Sequence, residues 1–359
     1  MADDSHPAHL SPSELGTKDY WETFYARTLS HLSTKHTTTN TTTTKPNPNP
    51  NAESSSEESE EDDIDDDSDP GTSWFSEHNA PDKVLQFLTD EEFPLAPVNT
   101  NTNNSKDGDE QQAPSILDLG TGNGSMLALL RKRGGYKGVM VGIDYSIRSV
   151  QLARELQRLR IHSAYLSDSD EDSDSEDEGK DDKGGKDGDG GDTNIRFEEW
   201  DILHGDVYQT STTTSEEEGS DGKGGKKGKV DWFPYDKGGF DIVLDKGTFD
   251  AVSLSDEVIP ASDGAAEGHA SGKTVQRRVC ERYPGIVRGL VRKGGFVVVT
   301  SCNWTEEELV AWFTRADSTS SGGDGEEDKF VVWGRVEYPR FRFGGREGQG
   351  VCTVCFQRV

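Results

Sequence analysis

The chain has 359 residues, 30% of them hydrophobic, with a formal net charge of −30 and a sequence pI near 4.6. That balance, with no basic stripe outside a glycine-rich insert around Lys223 to Lys229, excludes salt-driven binding to nucleic-acid phosphates as the expected activity. No run approaches the roughly twenty apolar residues of a membrane span, MADDSHPAHL lacks a basic region followed by an apolar core, and Cys280, Cys302, Cys352 and Cys355 are too few for a secreted disulfide framework, so a soluble, intracellular protein is expected.

The charge is uneven. Glu53 to Asp69 carries eleven acids and no base, and Ser167 to Asn194 thirteen acids against three lysines, so these two tracts account for 21 of the 30 net negative charges. Such segments hold too little apolar surface to fold and say little about chemistry.

From the N-terminus, residues 1–36 form a segment in which GTKDYWETFY places Tyr20, Trp21, Phe24 and Tyr25 at helical spacing. Two expectations stay open for that helix: a cover over the mouth of a site, or plain packing. Residues 37–70 are a Thr/Asn/Pro-rich, then acidic, linker expected to be disordered. Residues 71–359 form one domain interrupted by low-complexity inserts at 98–113, 167–194, 210–229, 260–273 and 317–328.

Between the inserts runs a single alternation. Ser115 to Gly120 is a strand, and SMLALLRKR a helix by its spacing of Met126, Leu127, Leu129 and Leu130. Gly138 to Asp144 is the second strand, followed by a helix that Ser146 can cap. Ile195 to Leu203 is a third strand and Phe240 to Gly247 a fourth, apolar on both faces. A helical stretch around Val275 to Val291 precedes a fifth strand, Gly294 to Cys302, and TEEELVAWF is a helix opened by a Thr305 capping box. KFVVWGRVEY and GVCTVCFQRV close the chain as a strand hairpin, with Cys352 and Cys355 on opposite faces of the last strand, which disfavours a shared metal or disulfide. This alternation predicts an α/β fold with a mostly parallel sheet, helices on both faces and a ligand crevice beyond the strand carboxyl ends. Asp118 to Gly124, Asp144 to Tyr145, Trp200 to Asp201, Asp245 to Thr248 and Ser301 to Trp304 are all expected on that rim.

In ILDLGTGNGS the glycines Gly120, Gly122 and Gly124 could serve only a tight turn. Their place between strand and helix, with Asp144 ending the next strand where an acid can accept both ribose hydroxyls, favours a nucleoside. Nicotinamide and flavin cofactors remain open to such a turn. G-x-G-x-G spacing and a carboxylate at Asp118 suit a ligand with an ammonium and a sulfonium, S-adenosyl-L-methionine, better than a pyrophosphate.

The blocks SELGTKDYWETFY, WFSEHNAPDKVLQFL, ILDLGTGNG, VGIDYS, FDIVLDKGTFDAVSL, FVVVTSCNWTEEEL and FRFGG resemble the eukaryotic lysine methyltransferases of translation elongation factor 1-alpha, within the class I S-adenosylmethionine-dependent methyltransferases. They cover essentially all of the chain outside the inserts. Two departures are Ser76, where the family has another small residue, and the long acidic inserts. The resemblance implies a Rossmann-like, seven-stranded fold. It puts Asp118, Gly120, Thr121, Gly122, Asn123 and Gly124 beside the methionine part of the cofactor, Asp144 and Tyr145 at the ribose, Asp201 and Ile202 at the adenine edge, and Asp245 near the sulfonium. Asp201 could equally be an exposed strand-end acid, and Asp245 a turn cap.

For the substrate amine, Trp74, Phe75, Glu77, Phe249, Asn303 and Trp304, with Asp245, are candidates for an aromatic channel that holds a lysine and favours its neutral form. Core packing is the plain alternative for each tryptophan, and a helix-start acid for Glu77. DKGT stands where small-molecule amine methyltransferases often carry a D/N-P-P-Y/F segment, which favours a protein lysine. The histidines show no metal-ligand spacing, so no metal is expected. The partner implied is elongation factor 1-alpha, acted on by a cytoplasmic, and also nuclear, monomer. The alternatives are a methyltransferase for another protein or small amine, and a non-catalytic cofactor-binding scaffold.

Overall fold

The structure, a computed structural model, describes residues 6–39, 70–71, 75, 78–100, 113–165, 193–208, 229–259, 277–315, 328–343 and 346–359. Most of each expected insert, and of the 37–70 linker, lies outside the described residues. Their edges do not: helix α1 (Lys18–Thr39) runs into the expected linker, α3 (Pro97–Thr100) opens the first insert, and Asp328 ion-pairs with Arg358 at 2.7 Å.

Seven strands form one sheet in the order β3 (Ile195–Glu199), β2 (Met140–Asp144), β1 (Ile116–Leu119), β4 (Phe240–Lys246), β5 (Val291–Ser301), β9 (Cys352–Arg358), β6 (Phe330–Val336). The first five are parallel, and β9 is antiparallel to both of its neighbours. The expected closing hairpin is therefore present, but its second strand inserts between β5 and β6. A two-stranded ribbon, β7 (Arg340–Phe343) and β8 (Arg346–Gln349), fills the connection where only a glycine-rich loop was expected.

Alternation along the buried strands feeds two cores. Ile116, Ile242, Leu244, Phe296, Val298 and Cys355 pack on one face with α1, α2 (Ala80–Thr89), α4 (Ser125–Lys132) and α5 (Ile147–Leu159). Leu117, Val243, Val297, Val299, Cys352 and Val354 pack on the other with α6 (Thr248–Ser253), α7 (Tyr283–Leu290) and α8 (Glu306–Thr314). Cys352 and Cys355 thus stand on opposite faces, as a period of two requires. Asp241 ties the strand entrances together: its carboxylate accepts from the amide and hydroxyl of Ser115 at 2.8 and 2.7 Å and from Arg292 at 2.5 Å, which holds it below the usual carboxylate range despite its burial.

Two helix starts follow the sequence. Ser146 Oγ accepts from the Ser149 amide at 3.2 Å, and Thr305 with Glu308 forms the capping box. The expected helix around Val275 to Val291 is shorter. Residues 275 and 276 lie outside the described residues, Arg278 bridges to Val258, and α7 begins at Tyr283 because Pro284, lacking an N–H, fits only a first turn. The third strand ends at Glu199 rather than Leu203: Asp201 Oδ1 accepts from the amides of Leu203 and His204 and turns the chain.

After β3 the chain returns to place β4 on the far side of β1. That reversal opens a crevice at the carboxyl ends of β1, β2 and β4.

Candidate cofactor and active site

The turn after β1 is built by left-handed glycines at φ 56° (Gly120), 58° (Gly122) and 76° (Gly124). Their missing side chains make room mainly for the protein itself. A Cβ on Gly120 would lie 2.3 Å from Thr248 Oγ1, and one on Gly124 would lie 2.6 Å from the Phe197 ring. Thr248 in turn donates its hydroxyl to the Leu119 carbonyl at 2.6 Å, locking β4 to β1 beneath the turn. Gly122 is less crowded, with Tyr25 Oη 3.1 Å from where its Cβ would be.

Asp144 ends β2 with both oxygens in use. Oδ2 accepts from the Gly122 amide at 3.1 Å and Ser149 Oγ at 2.7 Å, and Oδ1 from the Ser146 amide at 2.9 Å. Burial pushes its pKa up to about 6 against those hydrogen bonds. With two lone pairs per oxygen, Oδ2 is filled by these two donors and Oδ1 retains one acceptor site. Asp118, also raised to about 6 by burial, accepts from Thr121 Oγ1 at 2.8 Å beneath the turn.

A cavity of about 260 Å³ occupies the crevice. Its floor and sides come from Gly120, Thr121, Gly122, Asn123, Asp144, Tyr145, Asp201 and Ile202, eight of the eleven expected cofactor residues. Trp21, Phe24 and Tyr25 of α1 cover it, so the helix lies over the mouth and packs against α5 as well. Two contacts seat that helix: Tyr145 Oη donates to the Thr17 carbonyl at 3.2 Å, and the Ile147 amide to Glu22 Oε1 at 3.0 Å. At the β3 side, His204 hydrogen-bonds Asp201 at 3.0 Å and Glu257 at 2.8 Å, clasping two chain segments across the rim; both carboxylates raise its pKa.

Several expected site residues stand elsewhere. Asp118, Gly124 and Asp245 do not line the cavity. Asp245 is 1% exposed, and its oxygens accept from the Thr248 amide at 2.9 Å, the Phe249 amide at 3.1 Å and Tyr283 Oη at 2.8 Å, the turn-cap arrangement that was one of its two expected readings. Ser301 to Trp304 stand at the end of β5 but do not line the cavity either. Buried Asp250 gathers Ser301 Oγ and the Cys302 amide, Trp304 donates to Ser253 at 3.2 Å, and Trp304 stacks on buried Phe249, so both aromatics are core. Asn303 is half-buried beside this network. Trp74 and Glu77 lie outside the described residues. Phe75 packs with Tyr338 and Val351.

Lys246 and Thr248, expected on the rim within Asp245 to Thr248 but given no role, line the cavity, as do His204 and Glu257, which were not expected there. The signal for Lys246 and Thr248 was DKGT itself; that for His204 and Glu257 was absent, since the two meet only through the fold. Lys246, half-buried, has its pKa lowered by desolvation, with Asp118 and Asp245 opposing the shift. Away from the cavity, His6, His9 and Glu281 form a cluster of metal-ligand type. Glu281 is already taken by Arg277 at 2.8 Å and the Arg278 amide at 3.0 Å, and the two imidazoles stack on each other and His6 on Trp312.

The donor set identifies the ligand charge that fits. Asp144, Asp201 and Glu257 on the wall are matched in number by Lys18, His204 and Lys246, and aromatic and aliphatic faces from Trp21, Phe24, Ile143 and Ile202 lie between them. Such a wall accepts hydroxyls and suits a ligand that carries both a cationic and an anionic group.

A methyltransferase-domain family profile matches residues 110–167. The chain is similar to protein-lysine N-methyltransferase EFM4 of Saccharomyces cerevisiae, 29% identical over 97% of this chain and 96% of the relative. It is also similar to human EEF1A lysine methyltransferase 2, 24% identical over 97% of this chain and 88% of the relative. Among solved structures, the N-methyltransferase NodS from Bradyrhizobium japonicum in complex with S-adenosyl-L-homocysteine aligns with a TM-score of 0.35 at 10% identity, covering 79% of this chain and 90% of that one. The seven-stranded sheet with its single antiparallel strand is Rossmann-like, and the match to a methyltransferase domain spans β1, the glycine turn, β2 and α5 within it.

Proposed function

We propose that this chain, a class I methyltransferase by fold, is a protein-lysine N-methyltransferase that acts on a lysine of translation elongation factor 1-alpha. The observation that carries this reading is similarity across 97% of the chain to relatives named for that activity, rather than to a cofactor domain alone. The bound cofactor supplies an electrophilic methyl group on a sulfonium. Asp144 would hold the ribose hydroxyls, Asp201 and Ile202 the adenine, and the backbone of Gly120 to Asn123 the amino-acid end. Trp21, Phe24 and Tyr25 exclude water from above, which strengthens the pull of Asp144 on its ligand.

The substrate amine must arrive neutral and in line with the methyl group, so positioning and loss of one proton are the chain's main contributions. The aromatic side of Phe75 beside Lys246 supports entry at the β4 end, away from the α1 cover. A desolvated approach there lowers the pKa of an incoming lysine. We expect a cytoplasmic monomer, the form in which it would meet a soluble translation factor.

The test is transfer of labelled methyl from S-adenosyl-L-methionine to purified elongation factor 1-alpha. Labelling of one lysine, lost in Asp144→Ala, is the expected result. Label that passes a size filter would instead indicate a small-molecule acceptor, and label retained in Asp144→Ala would overturn the cofactor assignment.

A further inference from the structure

Three cationic side chains line the cavity, and two of them are paired. Lys18 Nζ lies 3.7 Å from Glu199, and His204 holds Asp201 and Glu257. Lys246 differs: among the described residues its ammonium has no hydrogen bond and no ion pair, and its recorded contact is the face of Phe75, 5.7 Å from the ring centre. A half-buried ammonium without a counter-ion is costly unless something pairs with it. The nearby carboxylates are committed elsewhere, Asp118 to Thr121 and Asp245 to the start of α6 and Tyr283.

Its place in the sheet gives the unpaired ammonium a direction. Lys246 is the last residue of β4, whereas Asp144 ends β2 and Asp201 follows β3; the glycine turn after β1 lies between them. A ligand whose ribose and adenine meet the acids on the β2–β3 side must therefore run past the turn and bring its other end to β4. In S-adenosyl-L-methionine that end is an amino acid, which carries the molecule's one carboxylate.

We propose that the Lys246 ammonium receives the α-carboxylate of the methionine portion of the cofactor and so fixes which end of the ligand lies at β4. This rests on the methyltransferase reading above. The pairing satisfies the unpartnered cation, and the cofactor's own ammonium is left to the acidic side of the turn.

Calorimetric titration of the full chain with three ligands tests it: S-adenosyl-L-methionine, S-adenosyl-L-homocysteine, which keeps the carboxylate, and decarboxylated S-adenosylmethionine, which lacks it. A charge-assisted pair implies that Lys246→Met weakens the first two by about tenfold to a hundredfold. Binding of the decarboxylated ligand should stay within about twofold, the scatter of independent sites. Lys246→Arg, which keeps the charge, should retain most of the preference. Should Lys246→Met not fold, Lys246→Gln takes its place with the same expected selectivity. Equal weakening of all three ligands, or undiminished affinity for the first two, overturns the proposal. A wild-type chain that binds none of the three would instead overturn the methyltransferase reading.

Discussion

Tyr283 donates its hydroxyl to Asp245 Oδ2 at 2.8 Å across the buried junction of α7 and β4, with neither residue more than 1% exposed. The pair turns an acid at the end of a strand, the usual place for a ligand contact, into a support for the loop that carries Lys246 and Thr248. Asp245→Asn keeps an acceptor for the α6 amides but leaves Tyr283 without one. Denaturant unfolding should show a loss of about 1–3 kcal/mol, whereas titration with cofactor should show an almost unchanged affinity.

Three carboxyls at this end of the sheet have pKa values raised by burial: Asp118 and Asp144 to about 6 and Asp245 to about 7. Because the folded state holds these protons more tightly than the unfolded chain, their stabilising contribution is complete below about pH 4 and is lost as pH rises through 6 to 7. The melting-temperature deficit of Asp245→Asn relative to wild type should therefore narrow between pH 5 and pH 8. A cationic ligand at Asp144 should also release protons on binding near pH 6, seen as a buffer-dependent enthalpy in calorimetry.

Gly120 and Gly122 share a left-handed backbone, so alanine at either costs about 1–2 kcal/mol from conformation alone. Their surroundings then separate them. Alanine at 120 must displace Thr248 from its bond to Leu119 and should lower the melting temperature further. Alanine at 122 presses on the Tyr25 hydroxyl at the cavity mouth, and should cost more in cofactor affinity than in stability. Adding Tyr25→Phe removes the hydroxyl and should restore part of that affinity.

The thiols offer a check on the fold itself. Cys280, Cys352 and Cys355 are buried, while Cys302 is exposed with its pKa pushed up to about 12 by burial of its sulfur and by Asp250. A thiol reagent followed by peptide mass spectrometry should modify Cys302 alone in the native protein, slowly at neutral pH. The other three should react only after unfolding, and a Cys352–Cys355 disulfide should not form under mild oxidation.

Much of the architecture was legible because it depends on local pattern. Apolar runs of strand length set β1, β2, β4 and β5, and the Ser146 and Thr305 caps marked two helix starts. The cavity residues Gly120 to Asn123, Asp144, Asp201 and Ile202 followed from strand ends. What stayed hidden was the direction in which a polar group turns. Asp118 and Asp245 sit at strand ends like Asp144, yet their partners Thr121 and Tyr283 draw them inward. Trp304 looked like a channel aromatic because nothing in SCNWT announces Ser253, 51 residues earlier, as its partner. The β7–β8 ribbon escaped because PRFRFGGRE is short and interrupted by glycines.

The position of β9 bears on how the chain is made. Its residues Cys352–Arg358 are synthesised after β6 but lodge between β5 and β6, pairing Val299 with Val354 on one side and Val332 with Phe356 on the other. Until they leave the ribosome, β5 presents an open apolar edge and β6 has no neighbour in the sheet. A nascent chain paused in the 328–350 region would therefore expose both edges to neighbouring polypeptides, so translation speed through this stretch becomes a determinant of soluble yield.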